Sequence, residues 1–463
     1  MVKDLTGLAA AGAGLMLLAG PDVFAHPAHT KPVNHPFVVG FERFHGPLDD
    51  EDYLAEGGFL LLNELNCVAC HAPSEALAAD FPGVVATSLE GVGSRLRPVE
   101  LELFVRNPRF AKRDTTMPSL FAGPDRDLNE VAALRAWLGS LVEEVPVHPL
   151  GEIESGRALY HRIGCVACHA PEPGYRPPGL PEEADIDLVG LPSVPMNLAD
   201  HYGYGALVEF LLDPLRHRPS GRMPDFGLSP GEARDLAAYL KAGPDLVLPD
   251  DLVAALDLPA EEPDPALLAE GRRLFATKSC HACHAAPGED AKALAAPAAR
   301  PLSDLDPAAA GGCLSERPQG GPVPFYGLAE AQRSALVAAL RRLPVRQPAD
   351  PATALSSGMK RLNCHACHEL GGVGGPEFAR EPYFGTLLDA DKGAETTERL
   401  PPVLDGVSGR IGNEGLRRIL LDPGTAPKSR PGLATRMPRY PEALLAPLLR
   451  GLGSAGQEDP GAP

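Results

Sequence analysis

Aromatic residues are scarce in this 463-residue chain: Phe, Trp and Tyr make up 5% of it, with a single tryptophan. So thin a supply makes it hard to fill several cores from side chains alone, and a large apolar cofactor in each domain would relieve the shortage. Positive charge is also short. Lys and Arg number 42 against 61 Asp and Glu, a formal charge of −19, which argues against nucleic acid or an anionic membrane surface as a partner. That balance favours a partner with a basic docking surface, or simply solubility. Long apolar runs are missing beyond the first 25 residues, so no later segment is expected to span a bilayer. What is abundant is Gly and Pro, 49 and 51 residues, which consign much of the chain to turns and irregular loops. The length predicts three or four domains.

The one apolar run, Leu5 to Gly20, follows Lys3 and precedes Val23-Phe24-Ala25, which places small residues where a signal peptidase cuts. Residues 1–25 therefore read as a signal peptide. Asp4 weakens the charged start, so a retained anchor is the alternative. The mature chain is expected to be periplasmic or otherwise extracytoplasmic, opening with an extension over 26–52. His26, His29, His35 and His45 cluster there; an amino-terminal His can bind copper, but no β-sandwich frame follows.

Nine cysteines in an exported chain would ordinarily mean disulfides and one left over. Eight instead fall into four copies of C-x-x-C-H: Cys67, Cys70, His71; Cys165, Cys168, His169; Cys280, Cys283, His284; and Cys364, Cys367, His368. This is the attachment signature of haem c. Two thiols three positions apart can bond the two vinyl groups on one porphyrin edge, and the following histidine can give an imidazole nitrogen to iron. Zinc sites and redox dithiols also use C-x-x-C, but four copies all ending in His point to four covalently attached haems.

The motifs recur at intervals of 98, 115 and 84 residues, each the length of one small domain. Gly58, Gly156 and Gly271 each stand nine residues before the first cysteine, where the fourth copy has Leu355. Leu62, Tyr160, Phe275 and Met359 share the next apolar position. Three copies then show a short amphipathic helix ending in Asn/Asp-Pro, over 101–108, 206–214 and 416–423. A loop with a Met-Pro step follows, Met117-Pro118, Met223-Pro224 and Met437-Pro438, and a closing helix completes each unit, over 131–141, 232–240 and 443–452. Proline disfavours helix for the methionine before it.

This order resembles class I cytochrome c domains. The resemblance implies an all-α fold of four tandem class I cytochrome c-like domains with long Pro/Gly-rich loops, each closing helix packing across the first. It also implies that iron is held by the motif histidine on one side and the loop methionine on the other. The iron ligands are then His71, Met117, His169, Met223, His284, His368 and Met437. The four segments are 53–144, 151–243, 265–345 and 352–452, joined by linkers rich in Pro or acidic residues, with a disordered tail over 453–463. The opening phrase Phe37 to His45 and the phrase Arg218 to Pro224 are similar to multihaem c-type cytochromes of planctomycete-type bacteria, which implies exported electron transfer but no defined reaction.

The third segment departs from the pattern. Gly327-Leu328 aligns with Gly227-Leu228, which sets Val323-Pro324 where Met223-Pro224 stands. Valine cannot bind iron, so haem three is expected to lack its distal methionine. Cys313, the ninth cysteine, lies in this segment, and Cys313, Tyr326, Lys278 or a histidine from another domain stay open as its ligand. His281 and His365, inside their motifs, are expected at a haem edge or on the surface. Electron transfer is the leading function, with redox proteins as partners. A peroxidase-like haem enzyme, or a small-gas sensor using an open haem three, is the alternative.

Overall fold

The computed structural model describes residues 33–46, 50–123, 127–178, 180, 191–196, 201–242, 264–285, 299–308, 311–319, 323–384, 400–421 and 433–454. The expected signal peptide, His26 and His29, most of the 243–265 linker, the Pro423 end of the last middle helix and nearly all of the tail lie outside these residues.

The described chain is predominantly helical. In order it forms α1 (Val39–Phe44), α2 (Glu51–Glu64), α3 (Pro98–Arg106), α4 (Leu128–Ser140), α5 (Ile153–Arg162), α6 (Tyr204–Leu212), α7 (Pro230–Lys241), α8 (Pro265–Thr277), α9 (Glu330–Arg342), α10 (Pro351–Arg361), α11 (Val407–Leu421) and α12 (Glu442–Ser454). A two-residue antiparallel pair, β1 (Glu369–Leu370) and β2 (Val373–Gly374), is the one sheet among the described residues. None of the described helices is long and apolar enough to cross a membrane.

Helix starts follow from capping chemistry. Asp50, Asp264 and Asp350 each accept a hydrogen bond from a backbone N–H in the first turn of α2, α8 and α10, satisfying donors that the helix itself leaves unpaired. Pro265 and Pro351 sit at first positions where no N–H is needed. Ser229 and Glu232 form a reciprocal capping box at α7.

In segments two and four the first helix packs on the closing helix of the same segment: α5 on α7, and α10 on α12. Segments one and three pair differently. The first helix of segment one, α2, packs on α9, the closing helix of segment three. The first helix of segment three, α8, packs on α4, the closing helix of segment one. Two composite cores result. One joins Phe59, Leu60, Leu61, Leu62 and Phe81 to Leu302, Tyr326, Leu336 and Leu340. The other joins Leu101, Phe121, Leu134 and Trp137 to Leu274 and Phe275.

Glycine makes these crossings close. A Cβ on Gly58 would lie 2.0 Å from the Ala335 carbonyl oxygen of α9, and one on Gly271 would lie 2.2 Å from the Ala133 oxygen of α4. Gly156 makes the same approach within segment two, 2.0 Å from the Asp235 oxygen of α7. Segment four reverses the roles. Leu355 of α10 lies against Gly451 of α12, where a Cβ would meet the Leu355 Cβ at 2.5 Å. The small residue is thus on the other helix of the pair.

The middle helices α3, α6 and α11 pack on the closing helices α4, α7 and α12. Segment three puts two 3-10 turns, Leu302–Asp304 and Gly312–Leu314, in the corresponding stretch. α1 lies against both α2 and α10, with Gly40 close to the Lys360 carbonyl, and so ties the segment-one motif helix to that of segment four.

Candidate functional site

Each first helix runs into its C-x-x-C-H motif through the same local structure. The residue before the first cysteine leaves the right-handed region: Asn66, Ser279 and Asn363 have φ of 59°, 60° and 54°, and Gly164 has 121°. These are the three positive-φ residues other than glycine among the described residues. A left-handed conformation costs a non-glycine residue roughly 1–2 kcal/mol, so its recurrence at one motif position marks a turn that the surroundings impose. A 3-10 turn follows, and the histidine N–H donates to the carbonyl of the first cysteine at 3.0, 2.9, 3.0 and 2.9 Å in the four motifs.

The motif histidines share a second feature. His71 Nδ1 lies 2.8 Å from the Arg300 carbonyl oxygen, His169 Nδ1 2.8 Å from that of Val194, His284 Nδ1 2.8 Å from that of Thr87, and His368 Nδ1 2.8 Å from that of Pro402. A carbonyl only accepts, so Nδ1 carries the proton and Nε2 carries the lone pair. Burial pushes His169 down to about 4 and His284 below the usual imidazole range, which keeps both rings neutral, the form that can ligate a metal. Two of the acceptors are reached across segments: Arg300 of segment three serves His71 of segment one, and Thr87 of segment one serves His284 of segment three.

No two of the nine cysteines are joined in a disulfide. Burial pushes Cys67, Cys165, Cys280 and Cys364, the first cysteine of every motif, up to about 12, so none carries the thiolate of a redox dithiol at neutral pH. Among the described residues no three His, Cys, Asp or Glu side chains are arranged to hold a metal ion.

The Met-Pro loops come together in pairs. Ser119 and Phe325 exchange backbone hydrogen bonds at 2.9 and 2.9 Å, and Asp225 and Arg439 exchange them at 3.1 and 2.7 Å. Ser119, Asp225 and Arg439 each stand two residues after their methionine, and Phe325 stands two after Val323. The pairing therefore puts Val323 at the methionine position. Met223 packs in the segment-two core with Cys165. Met117 and Met437 are exposed side chains, at 39% and 37%, and Val323 is half-buried.

The motifs also meet in pairs. Asn66 donates to Cys283 Sγ at 3.3 Å and Asn363 donates to Cys168 Sγ at 3.2 Å, so motif one abuts motif three and motif two abuts motif four. Ala167, Ala366 and Phe384 fill the second junction with Cys168 and Cys367. Arg380, buried at 1% exposure, comes from segment four to donate to the Val166 carbonyl at 2.6 Å, the Pro192 carbonyl at 3.0 Å and the Ser193 hydroxyl at 2.7 Å. Between the two pairs, Glu64 receives Arg222 and Arg361.

Of the other residues singled out from sequence, His365 is buried at 2% exposure against Phe44, so it is no surface residue. His281 is half-buried near Phe275. Cys313 packs in the core that holds Cys67. The Tyr326 hydroxyl donates to the Leu65 carbonyl at 3.0 Å and Lys278 pairs with Glu130 at 2.6 Å, so both open ligand candidates are engaged elsewhere. Sequence reasoning missed Asn66, Asn363, Arg380 and the Glu64 junction. Only the two asparagines leave a trace, at the same place before their motifs. No family model matches the chain, and no curated protein or solved structure is detectably similar to it.

Proposed function

We propose that the chain is an exported tetrahaem c-type cytochrome acting in extracytoplasmic electron transfer. Haem c is attached at Cys67 and Cys70, Cys165 and Cys168, Cys280 and Cys283, and Cys364 and Cys367, with iron ligands His71, His169, His284, His368, Met117, Met223 and Met437. The observation that carries the reading is the fourfold bond from histidine Nδ1 to a backbone carbonyl. It fixes each ring's tautomer and turns Nε2 into the ligating atom.

The bound group supplies one-electron redox chemistry. The protein's own contribution is to hold each imidazole with Nδ1 on a backbone carbonyl, to present methionine sulfur where the loops allow, and to bring motifs together in pairs through Asn66 and Asn363. Histidine and methionine together would hold the iron and raise its potential, which suits relay over substrate turnover. The acidic surface suits redox partner proteins that dock through a basic patch. A peroxidase-like enzyme is the second reading, favoured by Val323 at a methionine position.

The test is the protein matured in a host that attaches haem c. Intact mass should show four covalent haems, and Met223→Ala should lose one share of the far-red sulfur-to-iron absorption. A mature protein without covalent haem would sink the reading.

A further inference from the structure

We infer that the axial ligands of segments one and three are exchanged along with their helices. Met117 serves the haem anchored at Cys280 and Cys283, and the haem at Cys67 and Cys70 meets Val323 and is the open one, able to take a small neutral ligand such as carbon monoxide. This rests on the haem c reading above and reverses the expectation that haem three lacks its methionine.

Segment four shows how a distal half serves a motif of its own. There His368 Nδ1 donates to the Pro402 carbonyl, the Leu404 N–H donates to the carbonyl of Glu369, and the Tyr440 hydroxyl donates to the Leu362 carbonyl at 2.9 Å. Tyr440 follows Met437 by three residues, and Leu362 precedes Cys364 by two. The same three bonds tie segment three to motif one. His71 donates to Arg300, the Leu302 N–H donates to Ala72 at 2.9 Å, and the Tyr326 hydroxyl donates to Leu65. Tyr326 follows Val323 by three residues, and Leu65 precedes Cys67 by two. Every offset agrees, so Val323 stands to motif one as Met437 stands to motif four.

The reciprocal half is tied down independently. His284 donates to Thr87, and the Ala86 N–H donates to the Cys283 carbonyl at 3.1 Å. Leu120, three residues after Met117, packs in the core that holds Leu274, Phe275 and Cys280. Lys278, two residues before Cys280, lies over the Phe121 ring at 5.3 Å and pairs with Glu130.

The ligand class follows from the lining. Segment three brings Leu302, Leu305, Leu314 and Leu328 to the motif-one core, with Cys313 and Tyr326. The Tyr326 hydroxyl is committed to a carbonyl, and burial holds the Cys313 thiol protonated, a poor iron ligand. An apolar site of this kind suits an uncharged diatomic.

The experiment compares two variants of the haem-loaded full chain, each counted for covalent haem by mass. Reduced unmodified protein should bind one equivalent of carbon monoxide. Cys67→Ala with Cys70→Ala should lose that binding and keep the far-red methionine band whole. Cys280→Ala with Cys283→Ala should keep the binding and lose about a third of the band, one of three methionine ligands. The opposite pattern, or no carbon monoxide uptake by the unmodified protein, overturns the inference while leaving four covalent haems and the cytochrome reading in place. Should either variant fail to fold, carbodiimide treatment of the unmodified holoprotein decides. A zero-length link between Lys278 and Glu130 within the monomer is expected, and its absence would mean the segments are not exchanged.

Discussion

Ser279 shows what the motif asks of single residues. It takes φ of 60° immediately before Cys280, with no side-chain cap bond at that turn, where Gly164 does the same at no steric cost in motif two. Ser279→Val should therefore lower stability by about 1–2 kcal/mol, and Ser279→Gly should not, when urea midpoints of the two variants are compared. Asn66 is less replaceable, because its amide also bonds the Val84 carbonyl at 2.9 Å and accepts from the Val84 N–H at 3.0 Å. His45 carries the clearest pH signature. Burial first, and Lys360 second, push its imidazole down to about 4, and burial does the same to His217. The unfolded chain, whose histidines titrate near ~6.5, binds more protons in between, so stability is full above about 6.5 and falls as pH drops towards about 4. Replacing His45 with Phe should flatten part of that fall, read as a smaller difference between urea midpoints at neutral and at mildly acid pH.

At the scale of elements, the aligned glycines were visible in the repeat, but their reason was not. Gly58, Gly156 and Gly271 let two helix backbones touch, and nothing in a sequence window says which second helix is meant. Gly58→Ala forces a Cβ against the Ala335 carbonyl, which is backbone and cannot rotate away. A loss of about 3 kcal/mol is expected, while Gly46→Ala, with nothing within 4 Å of its Cβ, should be near neutral; thermal melts of the pair check this. Leu355 looked like the defect of the fourth copy, yet Gly451 on the facing helix restores the close approach. Periodicity located the closing helices α4, α7 and α12 to within a few residues, because their apolar stripes face a core whichever partner supplies it. Periodicity alone leaves the partner unspecified.

At the scale of the molecule, the two motif pairs meet through α1 and at Glu64, which is 7% exposed and takes Arg222 at 2.9 Å from segment two and Arg361 at 3.2 Å from segment four. Glu64→Ala would leave Arg222 on the Thr116 hydroxyl and Arg361 on the Gly83 carbonyl but take the counter-charge from both, and should cost about 2–3 kcal/mol, seen as a lower denaturation midpoint and partial recovery in the Arg361→Met background. The exchange of helices also predicts how fragments behave. Residues 33–242 retain α5, α6 and α7 with their shared core, but α2 and α4 lose α9 and α8. Hydrogen exchange on that fragment should find α5 and α7 protected and α2 and α4 open.

The sequence by itself determined the four C-x-x-C-H motifs, the helices around them and the position at which valine replaces methionine. These are local: they follow from spacing, capping and periodicity within a few turns of chain. Only the tertiary structure decided which half of one segment closes over which motif. Segments one and three present interchangeable faces, a glycine-notched first helix and a closing helix with small residues to receive it, so either pairing would satisfy the local pattern. The choice is made by contacts between residues far apart in the chain, such as Tyr326 on Leu65 and Lys278 on Glu130.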